Sequence, residues 1–129
     1  MAEKLASLKK KGGGKKDFGI ICTAANSNNG VNSNTAYTSN SDLFTVPSAG
    51  QDRTCSMTVK KGGKYHYILT PMSRGTGSSY GVVIGSTSIT VTSSPQEGDI
   101  TIGDNTVCTV TASCTNNYFS VVNLMLIQT

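Results

Sequence analysis

From Asp17 onward, apolar residues in this chain recur at every second position in short runs, and glycine, asparagine and serine break the runs apart. A period of two belongs to a strand with one dry and one wet face, whereas a helix repeats at about 3.6. Cys55, Met57 and Val59 share one face, with Ser56, Thr58 and Lys60 on the other; Ile89 and Val91 alternate with Thr90 and Thr92. The pattern predicts strands at 17–23, 43–46, 54–60, 64–70, 80–84, 87–92, 99–102, 106–112 and 118–128, with a tenth around 35–38. Short strands with a turn signal about every 8–12 residues imply an all-β fold, a single antiparallel β-sandwich. A jelly-roll-like sandwich is the first expectation and an immunoglobulin-like one the alternative. The tryptophan that true immunoglobulin domains bury between their cysteines is absent.

Composition agrees. The 129 residues suffice for one domain, and Ser, Thr, Asn and Gly dominate while only 14% are charged, which argues against a helical bundle. Lys60-Lys61-Gly62-Gly63-Lys64 reads as a Gly-Gly hairpin, Gly85-Ser86 as a second turn and Gly103-Asp104-Asn105 as a third. Residues 26–41, 72–79 and 93–98 read as exposed loops. The stretch Val121–Ile127 breaks the alternation, because both of its faces are apolar. Such a strand is either central in a sheet covered on both sides or buried in an oligomer interface.

The net charge of +4 sits in one place. Residues 1–17 hold Lys4, Lys9, Lys10, Lys11, Lys15 and Lys16 against Glu3 and Asp17, while residues 18–129 carry five basic and five acidic side chains. The chain therefore divides into a basic N-terminal arm, 1–17, and a neutral sandwich, 18–129. Within the arm Leu5 and Leu8 offer an apolar side, and Gly12-Gly13-Gly14 forms a joint before the body. These leucines and the six lysines are the candidate anchoring residues. Without aromatic interleaving the lysines make a weak, salt-sensitive patch, so nucleic acid is not the expected partner. The N-terminus has no apolar stretch of about 7–15 residues, as a signal peptide core would need, and the most apolar run, Phe119–Ile127, is far short of the roughly 20 residues of a bilayer span, so synthesis in a cytoplasm and no membrane association are expected.

The four cysteines, Cys22, Cys55, Cys108 and Cys114, have no zinc spacing, and three of them lie in apolar strand-like runs. Buried free thiols are favoured over disulfides. One histidine, His66, cannot support chemistry built on several. It falls out of phase with Tyr65, Tyr67 and Leu69, which predicts a surface or packing role. There is no G-x-S-x-G elbow, no calcium ladder and no facing carboxylate pair legible in the sequence. No enzyme, cofactor or metal is expected. Tyr37, Tyr80 and Tyr118 stand beside polar loops, as does Arg74 in Ser73-Arg74-Gly75-Thr76-Gly77, and these four are the candidate ligand contacts.

Two stretches resemble known virion proteins. The opening MAEKLASLKKKGGGKK resembles the starts of small virion proteins in tailed phages of Gram-positive bacteria. The run TCSMTVKKGGKYHYILTPMSRGTGSSYG, with EGDITIGDNTVCTVTAS and YFSVVNLMLI, resembles the sandwich modules of phage tail-fibre and head-fibre proteins. The shared features are Thr58–Gly63, the aromatics Tyr65–Tyr67, the Gly98-Asp99 turn and the apolar Val121–Ile127 around an asparagine. The resemblance implies a non-enzymatic structural or accessory component of a virion, often a homotrimer, docked to other virion proteins through its arm and displayed for host-surface attachment. A free glycan-binding module or adhesin, reading a surface sugar through Tyr80 or Arg74, is the alternative.

Overall fold

The computed structural model describes residues 16–26, 32–74, 79–114 and 119–129. Ten strands are formed and, among the described residues, no helix: β1 Phe18–Asn26, β2 Ser33–Thr38, β3 Phe44–Thr45, β4 Thr54–Val59, β5 Gly63–Arg74, β6 Ser79–Ile84, β7 Thr87–Ile89, β8 Gln96–Ile102, β9 Thr106–Ser113 and β10 Phe119–Gln128. They make two antiparallel five-stranded sheets, ordered β2-β1-β10-β5-β8 and β3-β4-β9-β6-β7. The sheets pack face to face as a β-sandwich. The long loop expected at 26–41 is shorter than its composition suggests, because β2 occupies its second half. Of Asn34, Ala36 and Thr38, which that strand turns inward, only Ala36 is apolar, so it carries almost no apolar signal.

Alternation explains the layer between the sheets. Ile21, Ala25, Tyr65, Leu69, Val122, Leu124 and Leu126 come from the first sheet. Phe44, Met57, Val59, Val82, Cys108 and Val110 meet them from the second. Burying each large side chain contributes about 1.5–3 kcal/mol, which is what holds two otherwise polar sheets together. Tyr65 meets Phe44 edge-on, at a centroid separation of 5.8 Å, and its hydroxyl donates to the Lys61 carbonyl. Gly19 sits opposite this pair; a Cβ there would lie 2.6 Å from Met57 Sδ and 2.8 Å from the Phe44 ring.

The Lys60–Lys64 segment is not a hairpin. β4 belongs to the second sheet and β5 to the first, so the chain passes between layers at Gly62-Gly63. β8 and β9 cross back at Gly103-Asp104-Asn105, directly alongside. Val59 faces Thr106 on one side of the corner and Gly63 faces Ile102 on the other, without a slip in register. β4–β5 and β8–β9 are thus two arms of one bent ribbon. Asp104 Oδ1 accepts from the Gly62 amide at 2.6 Å and ties the two corners together. Gly85-Ser86, by contrast, is a true two-residue hairpin between β6 and β7, with Gly85 at φ 64°.

At the β2 side the sandwich is pinned by polar groups. Thr23 is fully buried, and its hydroxyl, the donor, lies 2.6 Å from Asn34 Oδ1 and 3.0 Å from the Asp52 carbonyl oxygen. The Asn34 amide group donates to the Thr54 carbonyl, and its backbone bridges to Gly50 in both directions. Thr23→Val keeps the shape but leaves two part-buried acceptors without their donor, and should cost about 1 kcal/mol in chemical denaturation. An unchanged denaturation midpoint would show that the pin is dispensable.

Candidate functional site

The two outer faces of the sandwich differ in kind. On the second sheet, side chains that point outward are mostly hydroxyls: Thr54 meets Thr111 at 3.4 Å and Ser56 meets Thr109 at 3.0 Å, a cross-strand ladder facing water. On the first sheet, just over half of the matching positions on β2, β1, β10 and β5 are apolar. Cross-strand register sets them out in rows. One row runs Tyr37, Ile20, Met125, Ile68 across β2, β1, β10 and β5. Another runs Ala24, Val121, Met72, and between the two lies a more polar row of Thr35, Cys22, Asn123 and Thr70. A fourth row begins Phe18, Ile127 and ends on His66 and Asp99. Strands about 4.8 Å apart and rows about 6.8 Å apart give this face roughly 500 Å² over four strands. Nine of the sixteen positions are apolar, which puts the apolar share within the few hundred Å² that the largest patch on a monomer spans, and such patches are often contact sites. Tyr37 and Met72 are each 58% exposed.

The stretch Val121–Ile127 lies in the middle of this face. β10 is the central strand of its sheet, with β1 and β5 on either side. Val122, Leu124 and Leu126 fill the core, while Val121, Met125 and Ile127 point outward. The second sheet covers the inner set. Among the described residues nothing covers the outer set.

Charge is confined to one edge of the face. His66 Nδ1 lies 2.8 Å from Asp99 Oδ1 and its Nε2 lies 3.1 Å from Glu97 Oε1, so the ring bridges two carboxylates of the neighbouring strand. Each ring nitrogen thus faces a carboxylate oxygen of β8. A general base needs a nitrogen free to face a substrate, and neither is free. Phase alone placed His66 on this outer face; Glu97 was missed, because its strand begins at Gln96, inside a segment that reads as a loop. An open recess of about 420 Å³ adjoins this edge, lined by Lys64, Asp99, Ile100, Thr101 and Thr129. Among the described residues no group of three His, Cys, Asp or Glu side chains is arranged to hold a metal ion.

The candidate ligand contacts do not converge. Tyr37 stands on the outer face of β2, its ring 5.8 Å from that of Phe18. Tyr80 is on the other sheet, turned inward opposite Ala112, with its hydroxyl buried and, among the described residues, without a hydrogen-bond partner. Arg74 closes β5 opposite Phe119, and Tyr118 lies outside the described residues. Of the anchoring arm, Lys4, Leu5, Leu8, Lys9, Lys10, Lys11 and Lys15 lie outside them too, and Lys16 is the first residue within. Asp17 is already stitched to the body: its carboxylate accepts from the Asn40 side chain at 3.1 Å and its carbonyl from the Gln128 amide at 2.9 Å.

None of the four cysteines is in a disulfide. Cys55, Cys108 and Cys114 are buried, and burial pushes the Cys108 thiol up to about 12. Cys22 alone is partly exposed, in the middle of the apolar face. Comparison with known protein families, with curated proteins and with solved structures gives no match.

Proposed function

We propose that the chain is a non-enzymatic virion component of a tailed phage: a jelly-roll body displayed on the particle and held to neighbouring virion proteins through the basic arm, residues 1–17. The observation that carries this reading is the nesting of the strand pairs. β1 pairs with β10, β4 with β9, β5 with β8 and β6 with β7, the first strand with the last and so inward. One long hairpin rolled across two sheets has this pairing, with β2 and β3 as additions in the connection from β1 to β4. Rolled hairpins of this kind recur in viral capsid and lectin domains. A fold hosts many functions, so three further features matter. The body is neutral and rich in hydroxyls, positive charge is segregated into the arm, and one sheet face is apolar enough to be an assembly surface.

The arm is the part to test. Deleting residues 2–16 removes all six arm lysines and both leucines but leaves Asp17 and its contacts in place. The truncated protein should fold, with the far-ultraviolet spectrum of the intact chain, and be missing from purified particles. Incorporation at the normal level would refute the docking role.

A further inference from the structure

The apolar outer face of the first sheet has a shape that specifies its occupant. We propose that it is a self-association surface, receiving the same face of a second copy across a two-fold axis that runs along β10. This goes beyond the virion reading and does not depend on it.

The strand order is symmetric about β10: β1 and β5 flank it, and β2 and β8 are the edges. Two sheets stacked about 10 Å apart can be related by an axis along the strands or across them. An axis across the strands lays β8 on β8 and reverses the rows, so that, centred on the face, the apolar row of Tyr37, Ile20, Met125 and Ile68 meets the more polar row of Thr35, Cys22, Asn123 and Thr70. Polar groups buried against apolar ones without partners disfavour that arrangement. An axis along the strands keeps each row on itself and lays β8, with Glu97 and Asp99, on β2, whose outward side chains are Ser33, Thr35 and Tyr37, all uncharged. Row matching and charge together select the axis.

The same operation leaves every row facing itself, and the pairs that result fit. Ile20 lies over Ile68 of the second copy, apolar on apolar. Ala24 lies over Met72, a small residue beneath the most exposed large one. Phe18 lies over His66, an aromatic face over a ring held between two carboxylates, and Tyr37 over Glu97, a phenolic donor over a carboxylate. Asn123, on the axis, meets Asn123. Among the described residues no side-chain hydrogen bond holds its amide, and an amide is its own complement, one donor and one acceptor. A lone asparagine in an apolar seam fixes register in paired helices by the same logic. Two such faces bury about 1,000 Å² in total, the size at which specific interfaces begin.

Cys22 reports directly on this face, since the other three thiols are buried in the core. The intact chain should run as a dimer in light scattering, with Cys22 slow to react with a maleimide. Met125→Lys should halve the mass and bring Cys22 to the rate of an exposed thiol while the circular dichroism stays unchanged. If that variant does not fold, Thr70→Cys gives the second reading. In one chain, positions 22 and 70 are separated by β10; across the axis they face each other. A short bis-maleimide should then yield covalent dimers, lost again when Cys22→Ser is added. A monomer with freely reactive Cys22, a trimer whose mass and Cys22 reactivity ignore Met125→Lys, or no covalent dimers would each overturn the proposal. So would a monomer whose Cys22 is protected until residues 2–15 are removed, which would seat the chain's own arm on the face.

Discussion

Gly62→Ala should destabilise the protein by about 4 kcal/mol, an unusually large effect for one methyl group on an exposed turn. A Cβ at Gly62 would stand 2.5 Å from the Ile102 carbonyl oxygen, 2.7 Å from the Gly103 carbonyl carbon and 2.8 Å from the Asp104 amide nitrogen. All three are backbone atoms, so no side chain can swing aside to relieve the contact. The two corners would have to separate, and with them the bond from the Gly62 amide to Asp104. Those corners carry a ribbon that crosses between sheets without a break in register, so the strain would reach β4, β5, β8 and β9 together. For a domain of this size the melting temperature should fall by about 15 °C. Gly63 is a useful control. It has nothing within 4 Å of its missing Cβ, but its φ of 151° is one that side chains rarely adopt, so Gly63→Ala should strain the backbone locally and cost less. A Gly62→Ala variant within 1 °C of the parent would mean that the corners do not pack as described.

The same two glycines show where local sequence stops being informative. A hairpin and a sheet-crossing corner both place glycines between two alternating runs, and nothing within the ribbon distinguishes them. The difference lies forty residues away, in Gly103-Asp104-Asn105, which needs a partner corner to lean on. Strand positions were legible because alternation is written locally; all ten elements lie close to where the pattern puts them. Sheet membership was not, because it depends on which strand each run pairs with. β8 was truncated in the reading because Gly98 interrupts the pattern. In the fold Tyr67 covers that glycine, with ring atoms 2.8–3.0 Å from where its Cβ would be, and repairs the gap from the neighbouring strand. The outer face was half legible. Val121–Ile127 announced a strand with two dry sides, yet the face needs Ile20, Ile68 and Met72 beside it, and only register brings those together. Tyr80 fails for the opposite reason: it neighbours a loop in sequence, but its parity on β6 turns it inward with Val82 and Ile84.

Alkaline pH should unfold this protein well before its backbone chemistry is at risk. Burial raises the Cys108 thiol from 9.0 to about 12, and burial also raises Cys22, Cys55 and the Tyr65 phenol, all in the same direction. In each case the folded state disfavours the anion. The unfolded chain lets a thiol ionise near pH 9, whereas the folded chain keeps Cys108 protonated to about 12. Between those values the unfolded state binds fewer protons than the folded one, so stability falls as pH rises. It is fully present below pH 9. Cys108 by itself sets a slope of about 1.4 kcal/mol per pH unit, or about 3 kcal/mol lost by pH 11. Cys55 adds to the slope; Cys22, half open to water, adds less. Denaturant midpoints between pH 8 and pH 11 would measure it. Cys108→Ala should be somewhat less stable at pH 8, from the small cavity it leaves, yet its curve should be flatter by one proton, so that the two proteins converge toward pH 10. Parallel curves would mean that the thiol finds a way to ionise in place, and that the layer between the sheets is wetter than its packing implies.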